Sequence, residues 1–278
     1  MTTRRNFLKT AGVLTLGGLF SAENLLAASK HPIGIQLYTL REQLPKDPKG
    51  VLKQIAAVGY KELESYQGEK GVFFGMTAKE FKKIIGDLGM NLRSSHVNTG
   101  STFEKTIAEL AEAGAKYVMS PYNKKNTLDE YKKVGEDFVR LGEISQKNGL
   151  QFGYHNHDYA FKEVEGVLPY DLWLKEIDPQ LMVMEMDIYW VVRAGKDPVD
   201  YFNRYPGRFP LWHVKDMDKA DEGKNTEIGK GKINYKALLK HASQAGLKYA
   251  FVEQETNYAP TPIGSIKASA TYLKGIQY

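Results

Sequence analysis

The chain has 278 residues, 42% hydrophobic and 26% charged, a balance that fits a packed globular protein of one large or two smaller domains and excludes a disordered chain. The formal net charge of +5 is mild, and the pairs Lys82-Lys83, Lys124-Lys125 and Lys132-Lys133 read as solvated faces, which argues against a nucleic-acid-binding protein. With no cysteine, disulfides, thiolate metal sites, a thiol nucleophile and a lipobox are all excluded.

Residues 1–28 stand apart from the fold. Arg4 and Arg5 precede Phe7 and Leu8, Ala11 to Phe20 is a short apolar run rich in Gly and Ala, and Leu26-Ala27-Ala28 offers small residues for cleavage. This pattern resembles a twin-arginine export signal and implies a periplasmic destination. The apolar run is too short to cross a bilayer, so no stable membrane anchor is expected. Residues 29–278 are expected to form one domain.

From Ile33 the chain alternates strand-like and helix-like segments. Ile33–Tyr38 reads as the first strand, and Pro48–Val58 as a helix with Val51, Leu52, Ile55 and Val58 on one face, closed by Gly59. Tyr60–Tyr66 is strand two. Thr77 with Glu80 forms a capping-box pattern for a helix ending near Gly89. Asn91–Val97, helix Thr102–Ala113, Lys116–Pro121 and the long helix Leu128–Asn148 follow. Strand five lies in Leu150–Asp158, with His155 and His157 on one face and Tyr154 and Asn156 on the other.

The second half keeps the rhythm. Helix Leu168–Ile177, strand Leu181–Asp187, a short helix Pro198–Asn203 and strand Phe209–Lys215 lead to a polar loop, Asp216–Lys232. Helix Tyr235–Gln244, strand Lys248–Gln254 and helix Ile263–Leu273 complete the chain. Eight strands each followed by a helix predict a (β/α)8 TIM barrel. A doubly wound sheet would call for a Gly-rich turn after its first strand, and Ile35 to Leu40 has none.

In such a barrel the C-terminal strand ends face the active site. There the sequence places Glu64, His96, His155, His157, Glu185, Asp187, His213, Lys215, Asp216, Glu253 and Glu255. Four of the six histidines fall at these ends, a convergence better explained by one site than by four separate structural roles. Imidazole mixed with carboxylate suits one divalent ion such as Mn, Zn, Co or Mg. Asp187 is nearer its strand end than Glu185, and Glu253 follows Phe251-Val252 directly, so these two are preferred as ligands. Tyr38, Tyr154, Phe161 and Trp190 offer aromatic surfaces for a sugar ring.

Ser95-His96, His155-Asn156-His157, Met186-Asp187, Trp212-His213-Val214-Lys215-Asp216 and Val252-Glu253, in this order, resemble the xylose-isomerase-like barrel superfamily of sugar phosphate isomerases and epimerases over residues 32–276. The resemblance implies one divalent ion on Glu, Asp, His and Glu from strands five to eight. The last three map to Asp187, His213 and Glu253, while the first falls on His155, a departure. Trp190 stands where many relatives carry histidine.

A metal-committed histidine cannot be a base, so a two-glutamate epimerisation does not follow. Glu253 with Lys215, His157 or Glu64 nearby leaves a single-base enolisation, and Tyr38, Glu64, His96 and Trp190 are expected to contact substrate. The leading expectation is a metal-dependent sugar isomerase or epimerase working through an enediolate. A lyase or hydratase of 3-keto-glycosides, as in some members, comes second, and a non-catalytic sugar-binding barrel third. The endonuclease branch needs a three-metal cluster with more ligands than these strands offer. The expected partner is a small carbohydrate, and a homo-oligomer is compatible with the sequence.

Overall fold

The computed structural model describes residues 33–276; the export segment expected at residues 1–28 lies outside them. In chain order the strands are β1 (Gly34–Gln36), β2 (Glu62–Tyr66), β3 (Asn91–His96), β4 (Tyr117–Ser120), β5 (Gln151–His155), β6 (Met182–Asp187), β7 (Leu211–Val214), β8 (Asp216–Met217), β9 (Asn225–Thr226) and β10 (Tyr249–Val252). All but β8 and β9 pair in parallel and close into an eight-stranded barrel, with β1 joined to both β2 and β10. The expected (β/α)8 architecture is what forms, with β10 as its eighth strand. The pair β8–β9 is a small antiparallel ribbon inside the loop expected at 216–232.

The helices that wrap the barrel are α1 (Pro48–Val58), α2 (Ala78–Asp87), α3 (Phe103–Ala113), α4 (Leu128–Lys147), α5 (Pro169–Glu176), α6 (Ile188–Arg193), α7 (Pro198–Arg204), α8 (Tyr235–Leu238), α9 (Ala242–Ala245) and α10 (Pro262–Gly275). Seven of these ten starts have a side chain that accepts an orphan N–H of the first turn, as Asp47 does for Gly50. Thr77 with Glu80 and Thr127 with Glu130 form complete capping boxes. One face of each longer helix packs onto the barrel. On α4 that face carries Tyr131, Val134, Phe138 and Leu141, and Phe138 meets Trp173, which also packs edge-on against Tyr154 at 4.7 Å.

Inside the barrel, Met119, Leu211 and Phe251 form a small apolar layer. Gly34 and Gly153 make room for it. A Cβ on either glycine would come within 2.6 Å of Phe251 or Met119 respectively.

Three elements differ from their expected form. The first strand stops at Gln36, whose side chain accepts the Tyr38 N–H at 3.0 Å and turns Leu37–Leu40 into a 3₁₀ helix. The predicted helix over 235–244 is split by a 3₁₀ turn at Leu239–His241; none of those three residues is buried, so packing does not hold the turn in α geometry. The short helix α6 follows β6 without a loop and was not expected from the sequence, which left the residues between Asp187 and Pro198 unassigned because six residues are too few for a periodic signal.

Candidate metal centre and active site

Strand five ends at His155, and the two residues after it leave the ladder. The Asn156 amide donates to the Asp187 carbonyl and accepts the Asp187 N–H, both at 3.1 Å, which ties the β5 end to the β6 end. Asp187 then serves twice. Its Oδ1 accepts the Trp190 N–H at 3.1 Å and caps α6, while Oδ2 is buried with no hydrogen-bond partner. The β6–β7 register sets Asp187 beside His213, and β10 sets Phe251 beside His213, with Glu253 two residues on.

His155, Asp187, His213 and Glu253 are all buried, and one ligand atom from each lies within 4.8 Å of the others. His155 Nε2 is 3.5 Å from Asp187 Oδ2, and His213 Nδ1 is 3.8 Å from Asp187 Oδ2 and 3.1 Å from Glu253 Oε2. Four donors around a small divalent ion at about 2.1 Å sit about 3.4 Å apart, so these spacings suit a cation. Both ring nitrogens of His155 and Asp187 Oδ2 are buried without partners, the mark of donors arranged for a group other than the protein's own atoms.

A second quartet, His96, His155, Glu185 and His213, lies within the same limit. Three of its four members are already hydrogen-bonded, His155 being the exception. His96 Nε2 is 2.7 Å from Glu185 Oε2, and His213 Nε2 is 2.6 Å from Glu64 Oε2, which also accepts from Gln36 Nε2 at 2.8 Å. The bonds at 2.7 and 2.6 Å satisfy His96 Nε2, Glu185 Oε2 and His213 Nε2, whereas Asp187 Oδ2, found only in the first quartet, has no partner. The deeper quartet is therefore a hydrogen-bonded layer under the first, and the first is the set that can hold a metal.

Burial shifts a carboxylate in each quartet. In the first it pushes Asp187 up to about 6, a carboxylate that a cation would relieve. In the second, burial pushes Glu185 up to about 7, with Glu64 adding to the rise and His213 and His96 beside it working the other way. Burial and the neighbouring His213 hold His155 well below the usual histidine range, leaving it neutral as a ligand must be. Burial opposes ionisation of Glu253, yet Lys215 and His213 hold it well below the usual carboxylate range. Lys215 Nζ donates to Glu253 Oε2 at 3.1 Å and also contacts Glu255.

Above this set opens a cavity of about 250 Å³, lined on one side by Glu253, Glu255 and Tyr38 and elsewhere by His96, His155, His157 and Tyr122, with Tyr66, Gln67, Asn98 and Pro121 completing the wall. Of the residues the sequence singled out, Tyr38, His96, His155, His157 and Glu253 line it. Glu64 does not; it is fully buried beneath His213. Lys215 is buried behind Glu253, and Trp190 packs between His157 (5.3 Å) and the Lys215 ammonium (5.4 Å) rather than on the cavity wall. Tyr154 and Phe161, offered as ring surfaces, are buried against Tyr170. The sequence reading missed Tyr66, Gln67, Asn98 and Tyr122, which come from loops or a strand end with no periodic signal. Burial and the Lys215 charge hold His157 down at about 4, so it is neutral near pH 7.

An eight-stranded parallel barrel with a buried imidazole–carboxylate set at its strand ends defines a class of metal-capable α/β barrels. Within that class, the chain belongs to the xylose isomerase-like TIM barrel family, whose model matches residues 52–276. It is similar to a solved structure from Parabacteroides distasonis described as a sugar phosphate isomerase/epimerase, with 30% identity and a TM-score of 0.78 over 90% of this chain and 95% of that one. It is also 28% identical over 150 residues to an inosose dehydratase of Lacticaseibacillus casei, covering 48% of this chain and 50% of the relative. The chain thus spans about half the length of the curated relatives it matches. A xylose isomerase-like TIM barrel protein from Mycobacterium smegmatis, solved in complex with magnesium, shares the fold at 15% identity and a TM-score of 0.62, over 89% of this chain and 96% of that one.

Proposed function

We propose that the protein is a divalent-metal-dependent enzyme that removes the proton next to a carbohydrate carbonyl and expels the oxygen substituent one carbon further on, a dehydratase- or lyase-type reaction. One observation carries this reading. Both carboxylates on the cavity wall, Glu253 and Glu255, come from one strand end, and the rest of the described lining, imidazole, tyrosine, amide and proline, carries no other carboxylate. Epimerisation by paired carboxylates calls for one on each face of the sugar, whereas an elimination needs a base on one face only. The inosose dehydratases among the relatives support the same reaction class.

His155, Asp187, His213 and Glu253 would hold the cation, which when bound supplies Lewis-acid polarisation of the carbonyl and so acidifies the adjacent C–H. The hydrogen bonds of Glu253 to His213 and Lys215 run through Oε2, leaving Oε1 to take the proton. Lys215 keeps the carboxylate ionised until it does. The C–H electrons become the new double bond, the C–O bond breaks with its electron pair on oxygen, and the proton passes from Glu253 to that oxygen on the same face. Neutral His157 offers a ring nitrogen to orient substrate hydroxyls.

Glu253→Gln is expected to lower turnover by about a hundredfold to ten-thousandfold while sugar binding persists. Mass analysis of products from a panel of keto sugars separates the reactions. Loss of water or alcohol supports elimination; conserved mass with loss of label at the acidic carbon moves the assignment to isomerase or epimerase. That second reading is favoured by the similarity to the Parabacteroides protein over nearly the whole chain. We also propose a periplasmic location through residues 1–28. Replacing Arg4 and Arg5 by lysine is expected to retain the protein in the cytoplasmic fraction, and unchanged export would refute the twin-arginine route.

A further inference from the structure

Among the described residues, two large hydrophobic side chains are exposed, Tyr38 at 38% and Tyr122 at 60%, and both rim the same cavity. Tyr38 stands in the first part of the Leu37–Leu40 turn after β1, braced edge-on by Tyr66 at 5.1 Å. Tyr122 follows β4 and is braced by Tyr159 at 5.1 Å and His157 at 5.5 Å. Bracing holds each ring in place although solvent reaches it, so neither gains its position from burial in the core. Between them the wall carries the amides of Gln67 and Asn98. Exposed aromatics confined to one rim, interleaved with amides, mark a platform for a ring with apolar faces and polar edges.

The charge at the site narrows the occupant. Among the described residues, no lysine or arginine lines the cavity. Asp187 and Glu253 balance a divalent ion held between them, and the Lys215 ammonium is matched by Glu255. The Arg41 guanidinium, over the Tyr38 ring at 4.8 Å, lies outside the lining and donates to the Tyr38 and Glu255 carbonyls and the Tyr258 hydroxyl, so these donors are committed to the protein rather than to a phosphate.

We infer that the rim between Tyr38 and Tyr122 is a second-ring subsite, and that the substrate is an uncharged glycoside whose reacting sugar sits over the metal centre while its aglycone ring, sugar or aryl, packs on these tyrosines. This rests on the proposed reading of the cavity as a carbohydrate site, and it names what that site accepts beyond a single ring.

Calorimetric titration of the metal-loaded protein tests it, with glucose, galactose and mannose, their phenyl glycosides and their 6-phosphates as probes. At least one phenyl glycoside is expected to bind about tenfold tighter than its parent sugar, with the 6-phosphate no tighter than the parent. Tyr122→Ala should erase most of the glycoside advantage while moving the parent sugar's Kd by less than about twofold. A 6-phosphate that binds best, phenyl glycosides that bind no better than their parents or not at all, or a glycoside advantage that survives Tyr122→Ala would each overturn the subsite. Binding is read without turnover, so a glycoside preference in a protein that never exchanges the acidic proton would retain this subsite and reject the chemistry proposed above.

Discussion

Glu64 illustrates how much a single buried side chain sets at this site. It lies under His213, accepts from the His213 Nε2–H at 2.6 Å and is itself oriented by Gln36 at 2.8 Å. That bond places a proton on Nε2. Burial opposes a second, charge-bearing proton, but Glu185, Glu253 and Glu64 hold the ring well above the usual histidine range, so a metal held at Nδ1 would displace the proton shared there with Glu253. Burial works against the charge on Glu64, but His96 and His213 together hold its carboxyl below the usual range. Glu64→Ala is therefore expected to weaken Co²⁺ or Mn²⁺ binding by about tenfold to a hundredfold, read by metal titration. A drop in metal-free stability with unchanged metal affinity would show that Glu64 only supports the fold. The strand position of Glu64 is legible in the sequence; its place beneath His213 rather than on the cavity wall is not, because it depends on how β2 and β7 face each other across the barrel.

At the scale of elements, the capping box on α2 was legible because it is local, with Thr77 and Glu80 three residues apart on a helix start, and the structure adds the same box at Thr127 and Glu130 on α4. Backbone N–H groups from Asn126 and Thr127, with the Thr127 hydroxyl, hold the exposed Glu130 carboxyl below its usual value, and Thr77 does the same for Glu80. A depressed folded-state value means stability that is present above the unfolded carboxylate range, about 4.3, and is lost as pH falls through the folded value. The stability gap between wild type and Glu130→Gln, measured by urea unfolding, is expected to be full at pH 7 and to close towards pH 3. A gap independent of pH would place its origin in packing rather than in the carboxylate. Helix α6 was illegible for the opposite reason. Its cap is a side chain also spoken for by the site, Asp187, and its six residues are too few for a periodic signal.

For the whole molecule, the site joins β5, β6, β7 and β10, so an ion held there cross-links four strand ends that are distant in sequence. A ligand bound only by the folded state stabilises it by about 4 kcal/mol at a thousandfold excess over Kd. Chelation is accordingly expected to lower Tm, and readdition of a divalent ion to restore it. A Tm indifferent to chelator and to added Mn²⁺, Zn²⁺, Co²⁺ and Mg²⁺ alike would count against the metal centre. Among the described residues, no helix is long and apolar enough to cross a membrane.

The sequence by itself determined the alternation of strands and helices, the barrel it closes into and the polar residues at each strand end, since all of these follow from local periodicity, caps and chain order. Only the tertiary structure decided which polar residues meet. His155, His213, Glu64 and Glu185 look equivalent as letters near strand ends, but barrel closure and strand register send some to the mouth and some to a hydrogen-bonded layer below. The same holds for Tyr122. Nothing in its neighbours along the chain marks it, and it became part of the site because β4 ends beside β5, where its ring packs against His157 and Tyr159 at the mouth of the cavity.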